Sequence, residues 1–211
     1  MVERRRAEDP GRRRQPADER ELLVAAIAKV AAEQGYSRLT VERVVRSAGV
    51  SEATFEEHFE NREQGLIAAQ DAFLERLWLD VAAACEGPGE WALKVRSAVA
   101  AVLGALVEAS ALARVFAIEG VAASLALAER QHEALDRFAE LLREGRRLHP
   151  QAAALPETME RALVGGIASI VTRQLLVEEP QAIGSLEPEL VELVLIPYLG
   201  GEGARRVAAG P

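Results

Sequence analysis

Side chains able to contact nucleic acid cluster between residues 40 and 62 of this 211-residue chain. Hydroxyl groups near helix starts and arginine side chains can hydrogen-bond phosphate oxygens, and such contacts supply most sequence-independent affinity for DNA. A glutamate carboxylate can accept a hydrogen bond from cytosine N4. The candidate positions for such contacts are Thr40, Arg43, Arg46, Ser51, Glu52, Ala53, Thr54, Glu56, Glu57, His58 and Arg62.

Two short predicted helices joined by a turn position these side chains. Thr40 and Ser51 are suited to cap the two helix starts, and Gly49 suits the positive φ that ends the first helix. Phe55 and Phe59, four residues apart, give the second helix a buried side. The apolar face of the first helix consists of Val41, Val44, Val45 and Ala48. Residues 40–59 alone fit both a helix-turn-helix, whose second helix enters the major groove, and an ordinary αα-hairpin.

The residues on either side of these helices make the pattern specific. Residues 22–66 resemble the DNA-binding domain of the TetR/AcrR family of bacterial transcriptional regulators. The motifs that carry the resemblance are Gly35-Tyr36, Thr40-Val41, Ala48-Gly49-Val50-Ser51, Thr54-Phe55, His58-Phe59 and Arg62-Glu63 followed by Leu66-Ile67. The resemblance implies an all-α homodimer that binds a double-stranded DNA operator, most often as a repressor that a small-molecule effector releases.

The second helix, predicted over about 52–59, departs from that family. The family usually places an aromatic residue where Glu56 stands, and a carboxylate cannot donate a hydrogen bond to phosphate. One interpretation is an unusual operator, and a second is modest affinity for DNA that rests on basic residues. In the third, DNA binding has been lost and the chain is a ligand-binding or structural helical homodimer. Those basic residues are Arg38, Arg43, Arg46, Arg62 and the N-terminal arm.

The charge distribution is uneven along the chain. The net charge is −8. Residues 1–62 carry 12 basic and 12 acidic residues, whereas the other 149 carry 13 basic and 21 acidic. Residues 1–19 contain the clusters Arg4-Arg5-Arg6 and Arg12-Arg13-Arg14 and are predicted to be a disordered arm. That arm either contacts phosphates and a minor groove or is only a solubilising tail.

Periodicity predicts an N-terminal three-helix domain over 20–64 and a larger helical domain over 65–200, with 201–211 as a flexible tail. Helix 1 is expected from Ala17 or Asp18 to Gln34, with Asp18 as its cap and Leu22 in its buried stripe. A connecting helix is expected over about 63–84, ending at Gly87-Pro88-Gly89. By resemblance this helix acts as a lever that changes the separation of the two reading helices in a dimer.

The larger domain is expected to hold five further helices, at about 90–108, 111–119, 121–147, 156–178 and 187–199. A ligand pocket is expected among them, with few fixed polar groups and so a largely apolar effector. Candidate lining residues are Phe73, Leu77, Trp78, Trp91, Phe116, His132 and Phe138. By resemblance the last two long helices form the dimer interface, for which the candidates are Met159, Leu163, Gly166, Ile167, Ile170, Gln174, Leu190, Leu193, Val194 and Pro197.

Other classes of protein have little support. The single Cys85 fits a cytoplasmic protein and permits no intrachain disulfide. The three His are scattered and no Gly-rich phosphate loop occurs, so we expect no enzyme, cofactor or metal. Glu129, His132 and Asp136 share one helical face, which more often is hydrated surface than a metal site. No apolar stretch is long enough for a predicted membrane span.

Overall fold

The computed structural model describes residues 15–86, 89–177 and 181–210, and every regular element in those ranges is helical. The arginine clusters at 4–6 and 12–14, most of the predicted Gly87-Pro88-Gly89 break and Pro211 lie outside the described residues. The N-terminal helices are α1 Pro16–Gln34, a 3₁₀ turn Tyr36–Arg38, α2 Val41–Ala48, α3 Glu52–His58 and α4 Arg62–Cys85.

The helices that follow α4 form the larger part of the chain. In order they are α5 Trp91–Glu108, α6 Ser110–Arg114 with a π-helical turn Val115–Gly120, α7 Val121–Ala123, α8 Leu125–Leu148, a 3₁₀ turn Pro150–Ala154, α9 Met159–Val177, α10 Gln181–Gly184 and α11 Glu187–Ala209. Helix α4 packs against both α1 and α5, α5 packs against α11, and α8 packs against α9.

The starts of α2, α3 and α4 are capped by local side chains. Thr40 Oγ1 accepts a hydrogen bond from the Arg43 N–H at 3.4 Å, and Asn61 Oδ1 accepts from the first turn of α4 at 2.9 and 3.0 Å. These caps satisfy N–H groups that have no partner within the helix. Gly49 ends α2 with φ +68°, in the left-handed region that glycine adopts without strain.

Helix α1 begins earlier than predicted. Its cap is Gln15 and Pro16 occupies the first helical position, where the missing N–H needs no partner. Asp18 therefore lies inside the first turn and is not the cap, and the predicted disordered arm does not extend to residue 19. Leu22 is also on the exposed side of the helix, because the buried stripe consists of Leu23, Ala26, Ile27, Val30 and Ala31.

Two predictions about the later helices are wrong. The predicted helix over 121–147 is interrupted at Ser124, whose extended backbone (φ −144°) lets its hydroxyl cap α8 by accepting from the Leu127 N–H at 3.4 Å. The predicted flexible tail is helical through Ala209, after a break at Gly200 with φ +69°. The segment is held because Ala204 and Ala208 are buried against the rest of the chain.

The described residues form three apolar cores, and Phe73 of α4 packs against the first and the third, which lies between α5, α6, α9 and α10. The first contains buried side chains of α1 to α4, but Val115, Phe116 and Leu127 of the larger domain belong to it as well. The second lies between α5, α8, α9 and α11 and includes Trp91, fully buried Tyr198 and their neighbours. The boundary predicted near residue 64 therefore runs through one continuous helix and one shared core.

A buried ion pair ties together α8, α9 and α11. Glu160, with no exposed surface, accepts hydrogen bonds from Arg146 Nε and Nη2 at 2.6 and 2.8 Å and from the Tyr198 hydroxyl at 3.0 Å. Arg146 also donates to the Leu155 carbonyl at 2.7 Å. Burial raises the pKa of Glu160, but the hydrogen bonds from Arg146 and Tyr198 outweigh it, so the pKa lies below its usual range. Burial and the Glu160 carboxylate together raise the pKa of Tyr198.

No single helix among residues 15–86, 89–177 and 181–210 is long and apolar enough to cross a membrane. Only the bent pair Trp91–Glu108 and Ser110–Ala123, which meet at 96°, reaches that length and composition together.

Glu160→Gln should lower the free energy of unfolding by about 3 kcal/mol, because it leaves the Arg146 charge without its counter-ion. A carboxyl with a lowered pKa stabilises the fold above its unfolded-state pKa and loses that contribution as pH falls through its folded-state pKa. Urea unfolding between pH 7 and 3 should therefore show a smaller acid-induced loss in the variant than in the wild type.

The matched control is Glu140→Gln, which removes an exposed carboxylate on α8 paired only with Arg143. It should change the free energy of unfolding by less than about 0.5 kcal/mol, as exposed ion pairs usually do. Equal effects of the two variants would show that the buried pair does not stabilise the packing of α8, α9 and α11.

Candidate nucleic-acid interface and ligand cavity

Helix α3 has one buried side and one acidic, solvent-facing side. Phe55 is buried and its ring lies 5.4 Å from that of Phe59, which fixes the helix on the N-terminal core. Ser51 caps the helix by accepting from the Thr54 N–H at 3.1 Å, and the two hydroxyl oxygens are 2.9 Å apart. The exposed residues of α3 and its end are Glu52, Ala53, Glu56, Glu57 and Glu60.

The arginines predicted to balance this acidity are largely engaged within the domain. Arg43 Nη1 donates to Gln34 Oε1 at 2.5 Å and to the Arg38 carbonyl at 3.0 Å. Arg62 Nη1 donates to the Leu39 carbonyl at 2.9 Å, and its guanidinium lies 5.2 Å from the Tyr36 ring centre. Arg62 thus connects the start of α4 to the turn before α2.

Arg46 differs from these two because its partner is on the same helix. It pairs with Glu42 one turn away at 2.5 Å, and both side chains are mostly exposed. An exposed pair of this kind contributes little to stability, so Arg46 can exchange it for a phosphate contact at small cost.

His58 does not lie on the exposed face with the other candidates. Its side chain is only 13% exposed, its Nε2 is 3.9 Å from a Glu19 carboxylate oxygen, and its ring packs near Phe59. Prediction of His58 as a DNA contact is therefore wrong in geometry: the last turn of α3 directs the ring toward α1.

A cavity of about 260 Å³ lies between α4, α5, α8 and α9. Five of the seven predicted lining residues line it, namely Phe73, Leu77, Trp91, Phe116 and Phe138. The remaining wall is mostly aliphatic and includes Val99, Leu103, Leu135, Val171 and Leu175. Such a wall suits the apolar part of a small molecule, which it removes from water.

Two predicted lining residues, Trp78 and His132, lie elsewhere. The Trp78 ring packs against Phe138 and carries the Arg137 guanidinium 4.1 Å from its centre. His132 is exposed, and its Nδ1 is 2.7 Å from the Ala128 carbonyl oxygen on the same helix. Trp78 on α4 and His132 on α8 lie outside the cavity because other faces of these two helices line it.

Of the three residues that share a helical face and were considered as metal ligands, Glu129, His132 and Asp136, the last is bonded to an arginine. Asp136 accepts two hydrogen bonds from Arg161, at 2.8 and 3.1 Å. Over the three described ranges, no group of three or more His, Cys, Asp or Glu side chains is arranged to hold a metal ion.

The π-helical turn Val115–Gly120 joins the cavity to the N-terminal domain. Phe116 lines the cavity, stacks 5.5 Å from Phe73 and also belongs to the N-terminal core. Three residues on, Glu119 Oε2 accepts a hydrogen bond from the Tyr36 N–H at 2.7 Å. A Cβ on Gly35 would lie 2.9 Å from that oxygen, and the φ of Gly35 is +79°, so glycine permits this close approach.

A second link lies beside it. The Ser124 hydroxyl donates to Glu63 Oε1 at 2.5 Å, which fastens the start of α8 to the first turn of α4. Glu119 and Ser124 thus hold the segment between α6 and α8 against both ends of the helix-turn-helix domain.

The predicted dimer face is only partly at the surface. Leu190 and Val194 are buried in the protomer, while Leu163 and Ile167 pack against its core. Met159, Gln174 and Pro197 are half-buried. The outer face of α9 and α11 holds three of the predicted residues and one further apolar residue, because both helices are apolar on more than one side. Its exposed residues are Gly166, Ile170, Leu193 and Ile196.

Comparison with protein families bears on the N-terminal helices. Residues 23–69 match the model for bacterial regulatory proteins of the tetR family. Residues 23–69 therefore form a domain of the tetR family. The match covers α1 to α3 and the first turns of α4, the part that carries the capped turn and the exposed face of α3.

Solved structures of bacterial regulators share the fold over most of this chain. The fatty acid degradation regulator FadR from Bacillus halodurans is 22% identical, with a TM-score of 0.72 over 83% of this chain and 97% of that one. FadR from Bacillus subtilis, determined in complex with stearoyl-CoA, is 21% identical, with a TM-score of 0.64 over 85% and 98%. A TerR/AcrR-family regulator from Aquifex aeolicus is 16% identical, with a TM-score of 0.61 over 83% and 99%. No curated protein matches the chain significantly.

Two of the residues that connect the tetR-family domain to the cavity, Glu119 and Ser124, have no sequence pattern that predicts this role. Glu119 and Ser124 lie on surfaces that only the fold brings to Tyr36 and Glu63. Gln70 carried a signal, because it is an amide within the apolar stripe of α4, between Leu66 and Phe73. It is 1% exposed and lines the cavity.

Glu119→Ala should loosen the contact between the π-helical turn and the tetR-family domain. The Tyr36 amide would lose a charge-assisted acceptor, so its hydrogen exchange should accelerate by roughly tenfold or more. Glu108→Ala, which removes an exposed carboxylate at the end of α5, is the control and should leave that rate unchanged. Unaltered exchange at Tyr36 in the Glu119 variant would mean that this contact does not hold the two parts together in solution.

Proposed function

We propose that this tetR-family protein is a homodimeric DNA-binding transcriptional regulator, and that it is a repressor released by a small, largely apolar effector. The observation that carries the proposal is the single core shared by the helix-turn-helix domain and the helices around the cavity. A molecule that changes the packing around the cavity must also act on that core, and so on the position of α3.

The nature of the cavity supports an apolar effector. Its wall is dominated by aliphatic and aromatic side chains, and Lys94 and Glu144 are its charged members. One structural neighbour, FadR from Bacillus subtilis, was determined with stearoyl-CoA bound. A fatty chain has the apolar character that this wall requires, which makes molecules with a long aliphatic part the first class to screen.

Release from DNA follows from coupling between the two sites. In a dimer, two α3 helices must reach successive major grooves about 34 Å apart, so a small displacement weakens paired docking. A displacement at the cavity can reach α3 through two connections. Helix α4 runs from Arg62 at the DNA-binding domain along the cavity. The π-helical turn connects Phe116 to Tyr36 through Glu119. An effector works through either route only if it binds the two arrangements with different affinity.

Dimerisation is assigned to the outer face of α9 and α11. The exposed apolar side chains of Ile170, Leu193 and Ile196 would be removed from water by a second copy of the chain. Gly166 on the same face lets two helices approach closely.

The acidic face of α3 favours a second candidate, a helical ligand-binding homodimer with weak or lost DNA binding. Glu52, Glu56 and Glu57 repel phosphate, and Arg43 and Arg62 are engaged within the domain. The DNA-binding proposal requires one or two of these carboxylates to accept hydrogen bonds from cytosine, while Thr40, Ser51, Thr54, Arg46 and Arg62 meet the backbone.

Fluorescence anisotropy with DNA from the region upstream of the protein's own gene, and with a scrambled duplex, tests the DNA-binding proposal. The wild type should prefer the upstream duplex. In the double variant Glu56→Gln, Glu57→Gln, affinity for the scrambled duplex should rise because two negative charges are removed. Preference for the upstream duplex should fall by about 1–3 kcal/mol for each carboxylate that reads a base.

The control is Glu140→Gln, which removes a carboxylate from α8, far along the chain from α3. It should change neither affinity. Affinities of the double variant that equal those of the wild type on both duplexes would show that α3 does not contact DNA, and would favour the homodimer without DNA binding.

A further inference from the structure

The inner part of the cavity contains an amide whose orientation is fixed. Gln70 on α4 is 1% exposed, and its Nε2 donates to the Leu127 carbonyl of α8 at 3.1 Å. Rotating the amide by 180° would place two oxygens against each other, so the donor assignment follows from the contact. Gln70 Oε1 is therefore the free end of the amide, and it is buried without a hydrogen-bond partner in the part of the chain that the structure describes.

A second amide lies one helical turn away. Gln131 follows Leu127 by four residues on α8, so both lie on the face that Gln70 contacts. Gln131 also lines the cavity, and its Oε1 is likewise buried with no partner among the described side chains and backbone groups. Two carbonyl oxygens, from α4 and α8, thus need hydrogen-bond donors in the same region.

Among the described residues, the lining side chains next to the two amides on α4 and α8 supply none. The neighbouring wall is made of Phe73, Phe116 and Ala134, whose side chains have no polar hydrogen. Buried acceptors without donors are costly, and each is satisfied in most proteins. A molecule that fills this part of the cavity gains affinity if it brings a donor and loses affinity if it brings only carbon or another acceptor.

The charged lining residues are remote from the amides along their helices. Glu144 is 13 positions beyond Gln131 on α8, about 20 Å along a helix, and Lys94 is near Cys85, whose thiol approaches the Lys94 carbonyl at 3.6 Å. Cys85 is 15 positions beyond Gln70 on α4, about 22 Å. With no carboxylate at the amide end, a neutral donor fits there better than a buried ammonium group.

We infer that the cavity recognises an elongated apolar molecule that carries a hydroxyl group, whose one hydrogen is shared between the Gln70 and Gln131 amide oxygens in a three-centre hydrogen bond. The inference rests on the proposed function, in which this cavity is the effector site, and it names the effector's chemical class: a neutral alcohol. An ionised carboxylate or an ether oxygen offers only acceptors to the two amides. Those groups are disfavoured at this end of the cavity.

A hydroxyl bound to Gln70 would lie close to the contacts that join α4 to the DNA-binding domain. Gln70 lies beside Leu66 and Ala69 on α4, both of which are buried in the core shared with α1. The Gln70 bond to Leu127 joins α4 to the start of α8, close to the Ser124 contact with Glu63. A ligand bonded to Gln70 therefore acts where α4 passes from the cavity to the tetR-family domain.

The test compares two isomers and one anion on the full-length protein by isothermal titration calorimetry. The probes are 1-octanol, heptyl methyl ether with the same atoms but no donor, and octanoate. 1-Octanol should bind roughly tenfold or more tightly than either of the others. Equal affinities for alcohol and ether would overturn the amide proposal while leaving an apolar effector cavity intact. Binding of none of the three would overturn both the amide proposal and the cavity's assignment as effector site.

Substitutions of the two glutamines test which side chains cause the preference for the alcohol over the ether. Gln131→Leu and, separately, Gln70→Leu should reduce the ratio of alcohol to ether affinity toward one, mainly by weakening the alcohol. Gln64→Leu, on an exposed position of α4, is the control and should keep the wild-type ratio. Gln131→Leu leaves the hydrogen bond from Gln70 to Leu127 in place. It therefore tests the preference for the alcohol even if Gln70→Leu impairs folding. An undiminished ratio in Gln131→Leu would overturn the role of that amide.

Discussion

Helix α4 packs in two places at once, and the rest of the structure depends on that constraint. Leu66 and Ala69 are buried in the core that holds α1 and Phe55, while Phe73 and Leu77 line the cavity. Closely packed side chains respond to added volume by shifting their neighbours, because interiors contain little free space. Under the proposed function, a change at the cavity wall would be transmitted along α4 to the tetR-family domain.

The π-helical turn Val115–Gly120 adds a second connection of a different kind. Its apolar side supplies Phe116 to the shared core, and its polar side supplies the Glu119 carboxylate to the Tyr36 N–H. Hydrogen bonds that join distant segments hold one particular arrangement, whereas apolar packing tolerates small shifts. Under the proposed function, the two connections together would make the position of the helix-turn-helix depend on what the cavity contains.

The negative charge of α3 determines which contacts can stabilise the proposed complex with DNA. Exposed glutamates lower sequence-independent attraction to phosphate, so a larger share of the binding free energy must come from base contacts. A tetR-family domain built in this way would bind random DNA weakly and select its operator more strictly. The same charges would abolish binding if no base on the operator supplied a donor to them.

Local signals made the N-terminal domain predictable. Thr40, Gly49 and Ser51 act through their own backbone neighbours, and the structure confirms each at the predicted helix boundary. The prediction of Asp18 as the cap is wrong because Pro16, two residues earlier, is an equally local start signal. Helix α4 was also predicted within one residue at each end.

Contacts between distant segments were less accessible from the sequence. Periodicity identifies apolar positions on α9 and α11 but not which of several apolar faces turns inward, so Leu190 and Val194 were assigned outward although they are buried. The bonds from Glu119 to Tyr36 and from Gln70 to Leu127 join residues 83 and 57 positions apart. No local spacing rule pairs such residues.

The most direct measurement of the central claim is the affinity of the protein for its DNA with the cavity empty and with it saturated. A duplex that the protein selects from genomic fragments serves as the DNA, and 1-octanol or a longer-chain homologue serves as the ligand. Coupling predicts that saturation weakens DNA binding by about fivefold or more, and that DNA weakens ligand binding by the same factor. Identical DNA affinity in both states, with ligand binding verified by calorimetry, would contradict the account.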